Sequence, residues 1–227
     1  IEGAGHTVTL PSMQRSGFFG HYLAGTIKDL NIVINDVTNT ISNRANNWVF
    51  GRTYQGAILE NVSVSLGEDN ELDVTATDNF YLIGAEANAT VSMTNCVFDF
   101  SRLTYVNVGL ETTTKTYGPF ASSIANIVAK GTLENVYVVA PKVATAEGTE
   151  YLKALVTTAT VADGAETTYT SLYAENYEGE VTKLSGVNMF NTYADLKAYF
   201  NTNPTKLESF VGVWDTTLGI PAFNASK

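Results

Sequence analysis

The chain has 227 residues, and its hydrophobic fraction of 44% is enough for one sizeable core or two small ones. Its 23 acidic residues outnumber its 13 basic residues, so the formal net charge is −10. A surface of that sign repels nucleic-acid phosphates and anionic lipids, which argues against both as partners. The low charged fraction and the many Thr, Asn, Ser and Val residues are typical of an extracellular β-rich protein, so we expect an extracellular or cell-surface location.

The sequence also bears on membrane insertion, targeting and disulfides. No run of about 18 apolar residues occurs, so no membrane insertion is predicted. The chain begins at Ile1 without a basic segment followed by an apolar one. We therefore expect no signal peptide, and either a processed protein or a piece of a longer one. Cys96 is the single cysteine, so no intrachain disulfide is predicted and the redox compartment stays open.

Four similar segments recur along the chain. They are GTIKDLNIVI (25–34), AILENVSVSL (57–66), VSMTNCVFDF (91–100) and GTLENVYVVA (131–140). Each has a polar anchor residue in its middle, and these anchors are Asp29, Asn61, Asn95 and Asn135. Periods of 20 to 50 residues are typical of solenoids, propellers and repeat arrays. The anchors are predicted to bond to neighbouring backbone at a bend, or to one another as a ladder.

After each anchor, apolar residues alternate with other residues, which is the period of a strand with one buried face. Strands stacked about 4.8 Å apart would turn these residues into three core rows. The rows are Leu30/Val62/Cys96/Val136, Ile32/Val64/Phe98/Val138 and Ile34/Leu66/Phe100/Ala140. Cys96 is then a small core residue rather than a reactive thiol, because no His or basic residue lies beside it in the sequence.

A second short apolar segment precedes each repeat. These segments are GFFG (17–20), WVFG (48–51), YLIG (81–84) and GPFA (118–121). A short strand that ends in Gly or Ala, followed by the anchored strand, fits two faces of one coil, with Gly at a corner that tolerates positive φ. The long polar stretches after the repeats are predicted to hold a third strand and an insertion loop, at 35–47, 67–79 and 101–117.

An [F/I]G step followed by G-x-[I/L]-x-N-[V/L]-x-[V/I] resembles the right-handed parallel β-helix modules of bacterial cell-surface, adhesin-type proteins, and GLUG-type repeats in particular. The matching positions are Gly25–Ile34, Ala57–Leu66, Val91–Phe100 and Gly131–Ala140. The resemblance covers about residues 15 to 140. It implies an all-β fold, a right-handed parallel β-helix (β-solenoid) of about four or more coils, within a larger surface protein.

Two domains are predicted. Residues 1–188 form the β-solenoid domain, with repeats near 17–34, 48–66, 81–100 and 118–140 and irregular coils at 141–188. Residues 189–227 form a C-terminal helix and a capping tail. The segment NTYADLKAYFNTNP predicts the helix, with Asn191 or Thr192 as its N-cap and Pro204 as its limit. A solenoid must hide its open last coil, so the helix and tail are predicted to cap it.

The candidate metal ligands are few. His6 and His21 have no Cys or carboxylate at metal-ligand spacing, so no zinc site is predicted. The acidic run GEDNELDVTATD (67–78) offers hard oxygen ligands for calcium without the order of an EF-hand, and a solvated loop is the alternative. The four candidate calcium ligands are Glu68, Asp69, Glu71 and Asp73. No other cofactor is predicted.

A catalytic carboxylate pair is also conceivable. Asp36, Asp99 and Arg102 follow successive core rows, and Asp36 and Asp99 are predicted as neighbours on the outer surface. Glycosidases need two carboxyl groups about 5 to 9.5 Å apart. A protein with 23 acidic residues meets that condition by chance, so the chain is predicted not to be an enzyme.

Aromatic residues are the better candidates for ligand binding, because their faces stack on sugar rings and supply contact area at low entropic cost. Five aromatic residues are predicted on or beside surface positions: Trp48, Tyr54, Tyr105, Tyr117 and Tyr137. The alternative is that they fill gaps between coils.

The sequence therefore predicts a non-enzymatic extracellular surface module for adhesion or for binding a glycan or a host or surface protein. Two alternatives remain open: a β-helix enzyme that degrades polysaccharides, and a structural subunit of a surface layer, filament or phage tail. The fold alone does not choose among the three, and the oligomeric state is not predicted.

Overall fold

The computed structural model describes residues 1–12, 18–19, 22–37, 47–48, 53–73, 79–81, 90–107, 115–118, 133–145, 148–151, 156–160, 168–172, 187–208 and 210. These residues form mostly β-strands, which we number β1 to β15 in chain order, and two short helices near the C-terminal end. The strands belong to three sheets. The predicted all-β class is confirmed at this level.

Sheet 1 has six strands, and every neighbouring pair is parallel. In spatial order they are β1 (Glu2–Leu10), β2 (Tyr22–Ile34), β4 (Thr53–Leu66), β7 (Thr90–Asp99), β10 (Leu133–Val139) and β15 (Val187–Phe190). Four of these strands contain the repeated segments, so the repeats lie side by side.

Sheets 2 and 3 are built from shorter strands. Sheet 2 contains β5 (Asn70–Asp73), β8 (Leu103–Val106), β11 (Lys142–Thr145) and β12 (Gly148–Tyr151). Sheet 3 contains β3 (Asn47–Trp48), β6 (Asn79–Tyr81), β9 (Lys115–Gly118), β13 (Val156–Thr160) and β14 (Thr168–Leu172). From β4 onward the chain visits sheets 1, 2 and 3 in that order, twice in single strands and once more with β11–β12 and β13–β14 as antiparallel pairs.

This order agrees with most of the predicted segments where they are described, but Phe18 and Phe19 of GFFG form a turn, so the short strand predicted there is wrong. β5 and β8 are the predicted third strands within 67–79 and 101–117. The segments WVFG, YLIG and GPFA each overlap a strand of sheet 3 by at least one residue. The corner positions 20, 51, 84 and 121 lie outside the described residues.

The three predicted core rows are confirmed. The register pairs Ile32 with Val64, Val64 with Phe98, and Phe98 with Val138. All twelve residues of the three rows are buried, and none has more than 5% of its surface exposed. The apolar residues of each repeat therefore stack on the equivalent residues of the neighbouring repeats.

The anchors share one backbone conformation. Asp29, Asn61, Asn95 and Asn135 have φ values of +54°, +53°, +53° and +52°. This left-handed conformation is unfavourable for most L-residues, and Asn and Asp tolerate it best after Gly. It changes the phase of the strand, because the second residue before each anchor and the first residue after it are both buried.

The change of phase creates a fourth core row that alternation after the anchors does not predict. The register pairs Ile27 with Leu59, Leu59 with Met93, and Met93 with Leu133, and all four side chains are buried. Each repeat therefore directs apolar residues into the core from both sides of its anchor.

The anchors also form the predicted ladder. The Nδ2 atom of Asn61 donates to Asp29 Oδ1 at 2.8 Å, that of Asn95 to Asn61 Oδ1 at 3.2 Å, and that of Asn135 to Asn95 Oδ1 at 3.1 Å. Lys206 Nζ donates to Asn135 Oδ1 at 3.1 Å and continues the series. All four hydrogen bonds point toward Asp29, and we call these five residues the asparagine ladder.

The C-terminal helix is confirmed, and it lies on the outer face of sheet 1. Helix α1 spans Tyr193–Thr202 and is capped by Thr192, whose Oγ1 accepts a hydrogen bond from the backbone N–H of Asp195 at 3.1 Å. Helix α2 spans Pro204–Glu208. Among the described residues, neither helix is long and apolar enough to cross a membrane.

The helices cover a face rather than the edge of the sheet. Leu196 and Phe200 of α1 are buried against Val97, Tyr137 and Val139, which lie on the outward side of β7 and β10. The last strand of sheet 1 is β15, and the predicted domain boundary between residues 188 and 189 falls inside it. The described part of the C-terminal region is thus packed laterally on the stack.

Substitutions at Asn95 distinguish the contribution of the anchor conformation to stability from that of the ladder hydrogen bonds. Asn95→Gly keeps a residue that favours positive φ but removes two ladder hydrogen bonds, so we expect the free energy of unfolding to fall by about 2 kcal/mol. Asn95→Ala loses the same bonds and adds backbone strain, for a further loss of about 1 kcal/mol. Urea denaturation measures both.

Asn107 is the matched control, because it has the same backbone conformation, with φ of +60°, but is not part of the ladder. Its side chain is exposed, and its Nδ2 donates one hydrogen bond to Asp73 Oδ2 at 2.9 Å. Asn107→Gly is expected to change stability by less than about 1 kcal/mol. Equal losses at positions 95 and 107 would contradict a stabilising role for the ladder.

Candidate functional site

Two of the five predicted ligand-binding aromatics are buried. Tyr105 and Tyr137 have no exposed surface, so the prediction that they lie on the surface is wrong. Tyr105 lies in β8, in register with buried Leu72 of β5, and burial raises its pKa. The residues of β8 alternate between buried and half-buried positions, which places Tyr105 on the core face of sheet 2.

Tyr137 is covered by the C-terminal helix. It lies on the outward face of β10, but its ring centroid is 4.8 Å from that of Phe200 and 5.7 Å from that of Tyr199. Phe190 and Phe210 complete the cluster around it. The same burial raises the pKa of Tyr137. An aromatic residue that the alternation places outside is therefore in a second hydrophobic core.

The other three aromatic candidates are located by their backbone only. Trp48 pairs with Tyr81 in sheet 3, Tyr117 pairs with Phe80 in the same sheet, and Tyr54 pairs with Leu23 in sheet 1. The side chains of Trp48, Tyr54 and Tyr117 lie outside the described part of the structure. Their role in ligand binding stays a prediction.

A second polar row lies on the outward face of sheet 1. Asn31 Nδ2 donates to Thr7 Oγ1 at 3.1 Å, and Ser63 Oγ donates to Asn31 Oδ1. Asn31 and Ser63 are buried, although the alternation places them outside. Asn31 and Ser63 are in the same register row as Val97 of β7 and Tyr137 of β10. The row is therefore polar and hydrogen-bonded in the first strands of the sheet and apolar in the later ones.

The predicted calcium ligands are divided between a bend and a strand. Glu68 and Asp69 are exposed in the bend before β5, and Glu71 and Asp73 are on β5, where they alternate with buried Asn70 and Leu72. In the described ranges, no group of three or more His, Cys, Asp or Glu side chains is placed to hold a metal ion. Calcium binding by these carboxylates stays a prediction.

Asn70, within that acidic run, has a structural role that sequence reasoning missed. Its Oδ1 accepts a hydrogen bond from the backbone N–H of Val37 at 3.0 Å, and its Nδ2 donates to the carbonyls of Asn35 and Glu68, both at 2.9 Å. The buried amide therefore joins two successive corners of the chain. The position occurs once in the sequence, and in the next repeat its partner in register is Leu103, so no repeat marks it.

The predicted carboxylate pair does not occupy equivalent positions. Asp99 is in register with Ser65, and Ser65 with Val33, whereas Asp36 follows Val33 by three residues. Asp99 Oδ1 accepts a hydrogen bond from the backbone N–H of Ser101 at 3.0 Å. The two acids therefore lie near the ends of equivalent strands but three register positions apart, and their proximity stays a prediction.

Three further polar residues remain to be located, namely Arg102, His6 and His21. Arg102, which was grouped with the acids, donates from Nη1 to the carbonyl of Gly67 and so bonds to the backbone of the preceding repeat. His6 is exposed on β1, in register with Leu30. His21 lies outside the described residues.

Cys96 is a core residue, as predicted. Its Sγ lies 3.4 Å from the carbonyl oxygen of Thr94 and 3.6 Å from that of Leu59, and the side chain has no exposed surface. Burial raises the pKa of the thiol to about 12. The protein therefore keeps this thiol protonated at neutral pH.

Comparison of the chain with protein-family models, with curated proteins and with solved structures finds no match. Asn70, Asp99 and Arg102 bond to the backbone of the fold, and Tyr105 and Tyr137 pack inside it. These five predicted or newly found polar and aromatic residues therefore have structural contacts within the fold.

The Cys96 thiol gives a pH dependence whose sign follows from its raised pKa. The pKa of a thiol in an unfolded chain is about 8.5. Between that pH and about 12, the unfolded chain therefore releases a proton that the folded chain keeps. Stability falls as pH rises through this window, by about 2 kcal/mol at pH 10. Cys96→Ala is expected to lose less stability between pH 7 and pH 10 in urea denaturation. The same loss in both proteins would show that Cys96 does not contribute.

Proposed function

We propose that the chain is a right-handed parallel β-solenoid and a non-enzymatic module of an extracellular or cell-surface protein, which binds a glycan or another protein through its lateral faces. The observation that carries this proposal is the repeated passage of the chain through sheets 1, 2 and 3 with the core rows in register. A chain that returns to the same sheet after each circuit adds one coil to a stack.

The right-handed sense of the proposed solenoid is supported by a general rule for parallel strands. Connections between parallel strands of one sheet are right-handed in about 98% of cases, because the twist of the strands favours that hand. β2, β4, β7 and β10 are joined by three such connections.

A binding role is supported by the shape and by the surface. Stacked repeats give extended lateral surfaces, which repeat proteins use for binding. The acidic, hydroxyl-rich composition suits an extracellular surface that does not attract nucleic acid or anionic lipid. The carboxylate Asp99 and the guanidinium of Arg102, which were considered for polysaccharide cleavage, bond instead to corner backbone.

Deletion of one whole coil tests the solenoid. Removal of residues 61–94 joins Glu60 to Asn95 and keeps the order of the core rows and a ladder from Asp29 to Asn95. Because each coil of a solenoid contacts only its neighbours, we expect a folded protein with cooperative unfolding and a lower Tm. Circular dichroism during heating measures it.

A half-coil deletion is the control. Removal of residues 61–77 takes out half as many residues but leaves an incomplete circuit, so strands of different sheets would have to pair. We expect this smaller deletion to prevent cooperative unfolding. If the half-coil variant is the more stable of the two, the solenoid proposal is wrong.

The function is tested by exposing the purified chain to arrays of glycans and of extracellular proteins, and by assaying the same polysaccharides for release of reducing ends. Binding without release is expected. Release of reducing ends would replace the binding module with a polysaccharide-degrading enzyme. Absence of binding on both arrays would contradict the adhesion role.

A further inference from the structure

Strand β1 lies at one end of sheet 1. It spans Glu2–Leu10, its neighbour in the spatial order is β2, and no further described strand follows on its other side. Its side chains from His6 to Thr9 are all exposed. The strand at the edge of a sheet presents backbone N–H and C=O groups with which another strand can pair. The open side of β1 is therefore a candidate contact surface for a further strand.

Two features confine the usable part of this edge to five residues. The register with β2 is interrupted between Glu2 and His6, where three residues of β1 lie opposite Asp29 in a bulge. Pro11 follows β1 directly and has no backbone N–H. Bulges and Pro both oppose pairing at a sheet edge. Between them, the residues from His6 to Leu10 are in continuous register with β2.

The hydrogen bonds to β2 show which backbone groups of these five residues face the open side. The carbonyl of Leu10 accepts a hydrogen bond from the backbone N–H of Asn35 at 2.9 Å, so it points toward β2. The N–H and C=O groups of successive residues in a strand point to opposite edges. Those of Val8 therefore also point toward β2, whereas those of Thr7 and Thr9 point to the open side.

The open side also exposes the end of a core row. Val8 is in register with Ile32, and Leu10 is in register with Ile34. Ile32 and Ile34 have no exposed surface, but 36% of Val8 is exposed and Leu10 is half-buried. A strand added to this edge would cover Val8 and bond to the backbone of Thr7 and Thr9. The edge therefore offers apolar burial and hydrogen bonds to the same partner.

We propose that β1 pairs with β1 of a second copy of the chain, in an antiparallel arrangement centred on Val8. Val8 then faces Val8 of the second copy, and Thr7 faces Thr9 of the second copy. Antiparallel strands alternate between residue pairs that exchange two hydrogen bonds and pairs that exchange none. The two Thr7–Thr9 pairs exchange hydrogen bonds and the Val8 pair does not, which matches the directions of their backbone groups.

The sequence favours this register over its neighbours. A two-fold axis at Thr9 would place Thr7 opposite Pro11, which has no N–H to donate. An axis at Thr7 would place Thr9 opposite Gly5, whose φ of +78° belongs to the bulge. The axis at Val8 avoids both positions and pairs the five regular residues with one another.

The polar row on the outward face supports the same contact. Ser63 donates to Asn31, and Asn31 Nδ2 donates to Thr7 Oγ1 at 3.1 Å. Thr7 thus accepts the last described bond of this series and has its own hydroxyl hydrogen to donate. In the proposed pair that hydrogen meets the hydroxyl of Thr9 in the second copy. Thr–Thr pairs of this kind stabilise antiparallel strands.

The two ends of the stack differ, which favours a closed dimer over a filament. Among the described strands, sheets 2 and 3 finish at the other end in the antiparallel pairs β11–β12 and β13–β14, and β15 has only four residues. A head-to-tail contact needs two different, complementary ends, whereas a two-fold contact uses one end twice and closes. The edge of β1 is complementary to itself.

The test is sedimentation velocity of the full chain from about 10 μM to about 1 mM, because a contact of five residues a side is small and the dimer is expected to be weak. We expect a monomer–dimer equilibrium that added salt strengthens, since each copy carries a net charge of −10.

Thr9→Pro removes an N–H on the open side of β1. It is expected to weaken the dimer at least about tenfold and to leave the Tm within a few degrees, because edge strands tolerate Pro where the N–H faces solvent. Thr9→Ser is the matched control, since it keeps the N–H and the hydroxyl group. It is expected to dimerise as the unmodified chain does.

A cysteine at position 8 tests the register. In the proposed pair, Val8 faces its own copy, and facing Cα atoms in a pair without hydrogen bonds are about 4.5 Å apart, within the range of a disulfide. Under mild oxidation, Val8→Cys is expected to form a covalent dimer faster than Thr9→Cys, whose two copies are offset along the strands. The unmodified chain is the blank, because Cys96 is buried.

The inference is overturned if the chain stays monomeric up to about 1 mM, if Thr9→Pro and Thr9→Ser dimerise equally, or if species larger than a dimer accumulate with concentration. Faster cross-linking of Thr9→Cys than of Val8→Cys would overturn the register. The dimer does not depend on the ligand of the proposed function, which the arrays test separately.

Discussion

The stack of sheet 1 depends on one backbone conformation that is repeated in four of its six strands. The four anchors, Asp29, Asn61, Asn95 and Asn135, adopt positive φ. In each repeat, the anchor lets the strand direct apolar side chains inward both before and after it. Asn and Asp accept this conformation at less cost than other residues with a Cβ atom, and their side chains also reach the next strand. The anchor therefore sets both the path of the backbone and the register of its neighbours.

The asparagine ladder has a direction that joins the stack to the C-terminal helices. Its hydrogen bonds run from the ammonium group of Lys206 through three amides to the carboxylate of Asp29, so the amide dipoles are aligned with a cation at one end and an anion at the other. Hydrogen bonds in such a series polarise one another, and those to charged groups are the stronger ones. Lys206 of α2 thus bonds to the end of the ladder, while Leu207 of α2 and Phe200 of α1 pack on the cluster around Tyr137.

The sequence predicted the features that follow from regular strand alternation, and it missed those that depend on the anchor conformation or on packing between distant segments. The row of Ile32 and the ladder were predictable, because strand alternation and the anchors recur in four segments. The row of Ile27 was missed because the alternation changes phase at the anchor. Tyr137 was misplaced because the helix that covers it lies about 60 residues later in the chain, and local alternation carries no information about such packing. Asn70 was missed for the same reason, since its partners belong to another repeat.

The anchors also keep the spacing between strands of sheet 1 the same although the connections between them differ in length. Successive ladder residues are 32, 34 and 40 residues apart in the chain, yet the bonds between their side chains differ by only a few tenths of an ångström. The entropic penalty of closing a longer connection grows slowly, by about 0.6 kcal/mol for each doubling of its length. Insertions and deletions in the connections between the strands, where they leave the strands themselves whole, would therefore be tolerated during evolution, and sequence variation among related chains should accumulate there.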